Sequence, residues 1–292
     1  MLTDTTFVYF GGEPIGVPIL TELKAAQMLP SLVVCNPDRP VGRKQVLTPP
    51  PVKVWAEKNN IPVWQPESFK DQEAVTNKLK SFDLFVVVAY NKILPKWLIE
   101  MPKHSTLNVH PSILPLLRGA SPIRSAILQD MRDQVGISIM QLDEKMDHGP
   151  ILVQMNMSIG AENWPVRGSQ LDEAIAHMGG ALLADTIPKW IAGEITLTEQ
   201  FHAAATYCPR LDRSMGELTL DPHNLPTGSD AYQALLKIRA FDGFPGTFFI
   251  QGNKRVKIAD ATIDASGALK ITSVIPEGKS EQPFAQYLAT LN

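Results

Sequence analysis

Residues 83–110 read DLFVVVAYNKILPKWLIEMPKHSTLNVH. An apolar run (83–90) is followed by an amphipathic stretch near 95–101, and a second apolar run (106–110) ends on a histidine. Short Val- and Phe-rich runs bounded by turn residues, separated by helical periodicity, predict buried parallel strands joined by crossover helices. The same alternation extends back to the N-terminus. FVYFGG (7–12) and SLVVCN (31–36) read as strands, and 16–28, 52–60 and 70–80 as helices. A parallel sheet with helices on both faces follows, and such sheets collect ligands at the carboxyl ends of their strands. Further on, GISIMQL (136–142) and ILVQMNMSI (151–159) predict two more strands around DEKMDHGP. Residues 168–193 predict one long helix, which GlyGly at 179–180 and Pro188 would bend.

Past residue 206 the texture changes to one helix (229–241) and short, turn-punctuated strands, the pattern of a small barrel or open barrel. A chain of 292 residues accommodates two domains, with the boundary placed near 206. Hydrophobic residues make up 44% of the chain, and 27 Lys+Arg stand against 30 Asp+Glu for a net charge of −3. This composition excludes a disordered tail, a collagen-like repeat and a coiled coil, and it leaves no global cationic field for nucleic acid. The apolar runs are too short to span a bilayer and no secretory signal opens the sequence, so the cytoplasm is expected. Two distant cysteines, Cys35 and Cys208, are then expected as buried thiols.

Alternation along a strand places Asn108 and His110 on one face and Val109 on the other. An amide that donates to a developing oxyanion, beside a ring that exchanges protons near neutral pH, suits acyl transfer. Taken alone, a satisfied core asparagine and a loop-capping histidine explain the same residues. The loop between the next two strands supplies Asp143, Glu144 and Asp147, one of which could orient His110, although a turn of solvated acids fits equally. Six histidines show no metal-binding cluster, so no metal is expected. FGGEPIG lacks dinucleotide-binding spacing, and neither a P-loop nor a nucleophile elbow occurs. The segment 36–51, NPDRPVGRKQVLTPPP, carries five prolines with Arg39, Arg43 and Lys44, and reads either as a stiff surface loop or as a binding loop.

The joint pattern carries more than its parts. NVHPSILPLLRGASPI (108–123) followed by GISIMQLDEKMDHGPIL (136–152) resembles the folate-dependent formyltransferases, with Asn-x-His, a Ser-Leu-Leu-Pro-like loop, Arg-Gly-x-x-Pro and an Asp-x-Gly. YFGGEPIGVPIL, the Pro-rich segment, ATYCPRL and IRAFDGFPGTFF extend the similarity, toward the tRNA-acting members, over essentially the whole chain. The resemblance implies a Rossmann-like catalytic domain (1–205) followed by an OB-like β-barrel (206–292) that binds tRNA. It implies formyl transfer from 10-formyltetrahydrofolate to the α-amino group of initiator methionyl-tRNA for translation initiation, by a monomer. Asn108, His110 and Asp147 fall on its catalytic trio. Ser112, Ile113, Leu114 and Pro115 fall on the folate-contacting loop, with Val88, Tyr90 and Ile93 lining the pterin pocket. Arg39, Arg43 and Lys44 fall where such enzymes hold tRNA. His148 stands where threonine is common in the family. Residues 206–292 hold nine basic and nine acidic side chains, so a phosphate-binding surface there requires clustering, with Lys254, Arg255 and Lys257 as candidates. A sugar-amine formyltransferase is the nearest rival, sharing the catalytic domain and a similar barrel; a non-catalytic binding module on the same scaffold has no reason to keep the whole trio.

Overall fold

The computed structural model describes residues 5–42 and 44–291. The chain divides into two compact units, neither continuous in sequence. The first comprises residues 1–118, 136–157 and 173–206, and the second 119–135, 158–172 and 207–292.

The first unit is built on a seven-stranded sheet. Its strands are β1 (Phe7–Gly11), β2 (Leu32–Val34), β5 (Val63–Trp64), β6 (Leu84–Val88), β7 (Thr106–His110), β8 (Gly136–Gln141) and β9 (Ile151–Asn156), in the order β9-β8-β7-β6-β1-β2-β5. From β7 to β5 all pairs are parallel, as the apolar runs predict. The sheet is nevertheless mixed, because β8 runs antiparallel to both β7 and β9. Strands β8 and β9 are joined directly by the loop 142–150, and a hairpin needs no crossover helix. Helices α1 (Gly16–Ala25), α2 (Pro51–Lys58), α3 (Gln72–Leu79) and α4 (Lys96–Ile99) connect the parallel strands. Strand order reverses at the β1/β6 pair, so the carboxyl ends of β1, β6 and the adjacent β7 border the crevice where ligands of such sheets bind.

The segment 36–51 contains an antiparallel hairpin, β3 (Arg39–Val41) paired with β4 (Val46–Thr48), with every residue of the two strands exposed. Helix α6 (Gly168–Ile191) runs without interruption through the two glycines and Pro188. The glycines serve close packing rather than bending. A Cβ on Gly179 would overlap Ile137 and crowd Val109, and one on Gly180 would lie 2.9 Å from the α1 backbone at Ile19. Val109 thus faces α6, which leaves Asn108 and His110 for the opposite face.

In the second unit, α7 (Gly228–Ala240) packs on an antiparallel sheet ordered β10 (Phe248–Gln251), β11 (Lys254–Ile263), β12 (Leu269–Pro276), β13 (Gln282–Pro283), with α8 (Phe284–Leu288) against its far strands. Leu235 and Ile238 of α7 meet Phe249, Val256, Ile258 and Val274 in the core. The OB-like barrel expected there takes the form of this open sheet. Helix α5 (Pro122–Leu128), which the sequence reading did not assign, lies against α7 and joins this unit despite its place in the chain. Both cysteines are buried, and no helix among the described residues is long and apolar enough to cross a membrane.

The neighbouring central strands β1 and β6 are pinned at their starts by Asp83. Its Oδ2 accepts from the Thr6 amide at 2.9 Å and the Thr6 hydroxyl at 3.0 Å. The amide first, with help from the hydroxyl and the charges of His104 and Lys103, holds the Asp83 carboxyl below its ordinary value. A depressed carboxyl stabilises the fold above its unfolded-state midpoint, roughly 3.9, and that contribution is lost as pH falls through the folded-state value. Asp83→Asn is therefore expected to lower the urea midpoint at pH 7, with the deficit shrinking below about pH 4; a deficit unchanged down to pH 3 would contradict the assignment.

Candidate active site

Strand β7 delivers Asn108 and His110, 8% and 4% exposed, to one face at its carboxyl end. The register with β8 sets His110 opposite Ser138 and Asn108 opposite Met140. The His110 ring is engaged on both nitrogens. Nε2 lies 3.0 Å from the Leu117 carbonyl oxygen, and Nδ1 lies 3.6 Å from Asp147 Oδ1. Both neighbours only accept, and only the Leu117 carbonyl lies within hydrogen-bond distance, so in the neutral ring the proton belongs on Nε2, which leaves Nδ1 as the basic nitrogen beside the carboxylate. In the charged ring both nitrogens donate, one to the carbonyl and one toward Asp147.

Asp147 occupies a tight turn of the loop 142–150, at φ +49. Two residues on, a Cβ at Gly149 would overlap the Gln141 carbonyl oxygen, so only glycine lets the loop close back onto the end of β8. His148, between them, turns away from His110. Its Nδ1 pairs with Asp143 Oδ2 at 2.6 Å, and its ring stacks on His202 with centroids 4.0 Å apart and planes 6° from parallel. Loss of water, then the neighbouring His148 and Arg118 charges, lowers the pKa of His202. A neutral His202 ring suits its contact, because Arg118 Nη2 donates to its Nδ1 at 2.9 Å.

The segment Ser112–Pro115 is held by one hydroxyl. Ser138, fully buried, donates to the Ser112 carbonyl at 2.7 Å and accepts from the Leu114 amide at 3.1 Å and from Gln154 Nε2 at 2.7 Å. One donor and two acceptor positions are all a serine hydroxyl has, so its capacity is used in full. Gln154 Nε2 also donates to the Leu114 carbonyl at 2.8 Å. Ser112 itself donates to Leu116 O at 2.6 Å, and Ile113 packs under Gly136. These four residues therefore form a backbone turn fixed from beneath, next to His110.

Val88 is buried at the end of β6, and Tyr90 packs its ring on Phe10 and Phe69. The Tyr90 hydroxyl and Asn36 Oδ1 are buried side-chain atoms without a hydrogen-bond partner. Ile93, by contrast, is 93% exposed and lines no closed pocket among the described residues. Arg39 and Lys44 lie exposed on the hairpin, together with Val41, Val46 and Leu47; Arg43 lies outside the described residues. No group of three or more His, Cys, Asp or Glu side chains among the described residues is arranged to hold a metal ion.

Sequence reasoning missed Ser138, Gln154, Gln200 and His202, and it quoted Arg118 only as part of a motif. Gln154 alternates with Asn156 along its strand, a signal that was readable, whereas Ser138 has an apolar residue at each second position of its strand and carries no such signal. Gln200 and His202 carry no local signal, because they reach the site only through tertiary pairing.

The formyl transferase family profile matches residues 6–187. Methionyl-tRNA formyltransferase of Halalkalibacterium halodurans is 37% identical over 307 aligned residues, covering 96% of this chain and 93% of that one. The enzyme of the same name from Herpetosiphon aurantiacus is 38% identical, covering 93% of each. Among solved structures, a 4-N formyltransferase from Francisella tularensis superposes with a TM-score of 0.65 at 19% identity, over 87% of this chain and 97% of that one. An N-formyltransferase from Helicobacter canadensis, solved with folinic acid and dTDP-3-aminofucose, superposes with a TM-score of 0.61 at 19% identity over 89% of each. These structures share the fold, and the match in sequence over nearly the full length of the curated relatives shows that the chain belongs to the formyl transferase family, among the methionyl-tRNA formyltransferases.

Proposed function

We propose that this enzyme transfers the formyl group of 10-formyltetrahydrofolate to the α-amino group of methionine on initiator tRNA, with Asn108, His110 and Asp147 as its catalytic residues. The observation that carries this reading is the meeting of His110 and Asp147 at 3.6 Å, on the face shared with Asn108, in a chain that matches methionyl-tRNA formyltransferases from end to end. The folate supplies an activated formyl group carried on nitrogen. Residues Ser112, Ile113, Leu114 and Pro115 hold it by their fixed backbone, with Val88, Tyr90 and the exposed Ile93 along its pterin. The partnerless Tyr90 hydroxyl and Asn36 Oδ1 fit a polar heterocycle, because buried polar atoms are otherwise paired. No metal is assigned a role.

The chemistry asks little of the protein beyond charge and proton placement. As the amine adds to the formyl carbon, negative charge grows on the formyl oxygen, and a donor aimed at it lowers the barrier by about 3–4 kcal/mol. The Asn108 amide is the donor in this reading. His110 Nδ1 takes the proton that the attacking nitrogen sheds and returns it to the departing folate nitrogen. One C–N bond forms, one breaks, and the proton count is unchanged. Asp147 offsets the charge on the ring while it holds that proton. A free α-amine titrates near roughly 8, so the nucleophile needs no stronger base.

The tRNA falls in this reading to the hairpin and to the second part of the chain, residues 206–292, with residues 1–205 carrying the transfer. On the hairpin, Arg39 and Lys44 supply charge beside the exposed Val41, Val46 and Leu47, and Arg43, outside the described residues, is assigned to the same role from the sequence. In the second unit, Arg167 and Arg239 are both tied to Asp260, at 2.6 and 3.2 Å. Alternation on β11 buries Val256 and Ile258 and turns Arg255 and Lys257 to the other face, where Arg255 lies 3.8 Å over the Phe248 ring. A zero net charge is thus compatible with a local basic strip. We place the enzyme in the cytoplasm, acting as a monomer.

The direct test offers purified enzyme both initiator methionyl-tRNA and a nucleotide-linked amino sugar, with 10-formyltetrahydrofolate as donor. Formyl product on the tRNA alone is expected; product on the sugar alone would overturn the acceptor while leaving the chemistry. His110→Ala and Asp147→Asn should each lower kcat by about 10²–10⁴-fold with the fold intact by circular dichroism, and near-parental rates in either would remove that residue from the mechanism. Lys44→Ala should weaken tRNA binding and flatten the slope of log K against log salt by ~1, without changing folate affinity. A loss of folate binding instead would overturn the assignment of the hairpin.

A further inference from the structure

We infer that Gln200, anchored by Arg118, is a positioning residue for the transfer: it holds the backbone on both sides of His148 and so sets where the Asp147 carboxylate meets His110. The inference rests on the catalytic reading of Asp147 given above.

Gln200 is 5% exposed and uses every hydrogen-bonding position of its amide. Nε2 donates to the Asp147 carbonyl at 3.0 Å and to the Gly149 carbonyl at 2.7 Å. Oε1 accepts from Arg118 Nη2 at 2.6 Å and from Arg118 Nε at 3.2 Å. Two donors and two acceptor positions are the whole inventory of the group, so its orientation is determined: flipped, it would face donors with donors and carbonyls with a carbonyl. Arg118 is 2% exposed and fully enclosed, which fixes the other end of the relay. Gln200 reaches this place because Thr198 pairs with Ile151 in a two-bond bridge, N to O at 2.8 and 2.9 Å, which runs the segment alongside the start of β9.

The device answers a specific need. Asp147 sits in the left-handed region at φ +49, which few residue types other than glycine, asparagine and aspartate tolerate, and its turn is gripped by side-chain donors. Hydrogen bonds to the carbonyls of Asp147 and Gly149 grip the turn from both sides, while the aspartate side chain points to His110. A displacement of about 1 Å at a reacting group lowers rates ~10²-fold, so a backbone clamp beneath the carboxylate acts on kcat without touching substrate.

Gln200→Glu separates this role from a contribution to folding. The new carboxylate still accepts from Arg118 and forms an ion pair with it, which offsets part of the cost of two unpaired carbonyls, so the protein should stay folded at the assay temperature by circular dichroism, while both donors are lost and the two carbonyls face negative charge. We expect kcat for tRNA formylation to fall ~10–100-fold, with the KM for 10-formyltetrahydrofolate unchanged. In an Asp147→Asn background, measured as single turnovers with enzyme in excess, Gln200→Glu should have no further effect, the signature of two residues acting through one group. A parental kcat in Gln200→Glu, or a fall that multiplies with that of Asp147→Asn, would overturn the positioning role. If Asp147→Asn alone keeps the parental rate, the catalytic reading of Asp147 fails first, a result distinct from either of these.

Discussion

The rest of the site is arranged around 3.6 Å between His110 Nδ1 and Asp147 Oδ1. The two groups belong to different elements, a parallel strand end and a hairpin loop, and neither element alone brings them together. Coulomb attraction weakens with separation and with access of water, so the pairing has effect only if both partners are held at this distance in a largely dry setting. The structure meets that requirement by fixing each side separately. On the strand side, the Leu117 carbonyl takes Nε2 and so decides which nitrogen faces the acid. On the loop side, a glycine that alone fits against the Gln141 carbonyl and an amide gripping two carbonyls hold the turn.

Two buried polar side chains beside this pair have their hydrogen-bonding capacity filled, by backbone groups together with the side chains of Gln154 and Arg118. Ser138 fills all three of its positions beneath the Ser112–Pro115 turn, and Gln200 fills all four beneath the Asp147 turn. Such saturation favours a single arrangement, because any shift leaves a buried donor or acceptor unpaired at roughly 1–3 kcal/mol. The exceptions stand elsewhere, at Tyr90 and Asn36, on the side of the crevice where the folate is placed. Saturated groups thus lie beneath the proposed catalytic pair, and the two unpartnered atoms lie among the residues proposed to meet the folate.

Much of this was readable from the residues. Period-two alternation at 106–110 already put Asn108 and His110 on one face, and the apolar runs gave four of the five parallel strands, missing the two-residue strand Val63–Trp64. What was not readable depended on distant pairing. Gln200 lies in a polar stretch with no periodicity, and only the bridge between Thr198 and Ile151 gives it a function. The glycines at 179–180 looked like a bend in a helix and proved to be contact points of an uninterrupted one, since a missing Cβ signals close approach as readily as flexibility. The prolines of 36–51 suggested a loop, yet Gly42 and Gln45 both adopt positive φ at the tip and turn the segment into a hairpin. The sequence cut near 206 did not anticipate that residues 119–135 and 158–172 pack with the C-terminal unit, because their partners, such as α7, lie far along the chain.

The account turns on which imidazole nitrogen handles the proton. Two-bond ¹H–¹⁵N correlation spectra of ¹⁵N-histidine-labelled protein at alkaline pH, with the His110 signals assigned by their loss in His110→Ala, read the tautomer directly. The network predicts that neutral His110 carries its proton on Nε2, bonded to Leu117, with Nδ1 bare beside Asp147. A neutral ring protonated on Nδ1 would contradict it, since the nitrogen facing the carboxylate would then already be occupied and unable to accept the amine's proton.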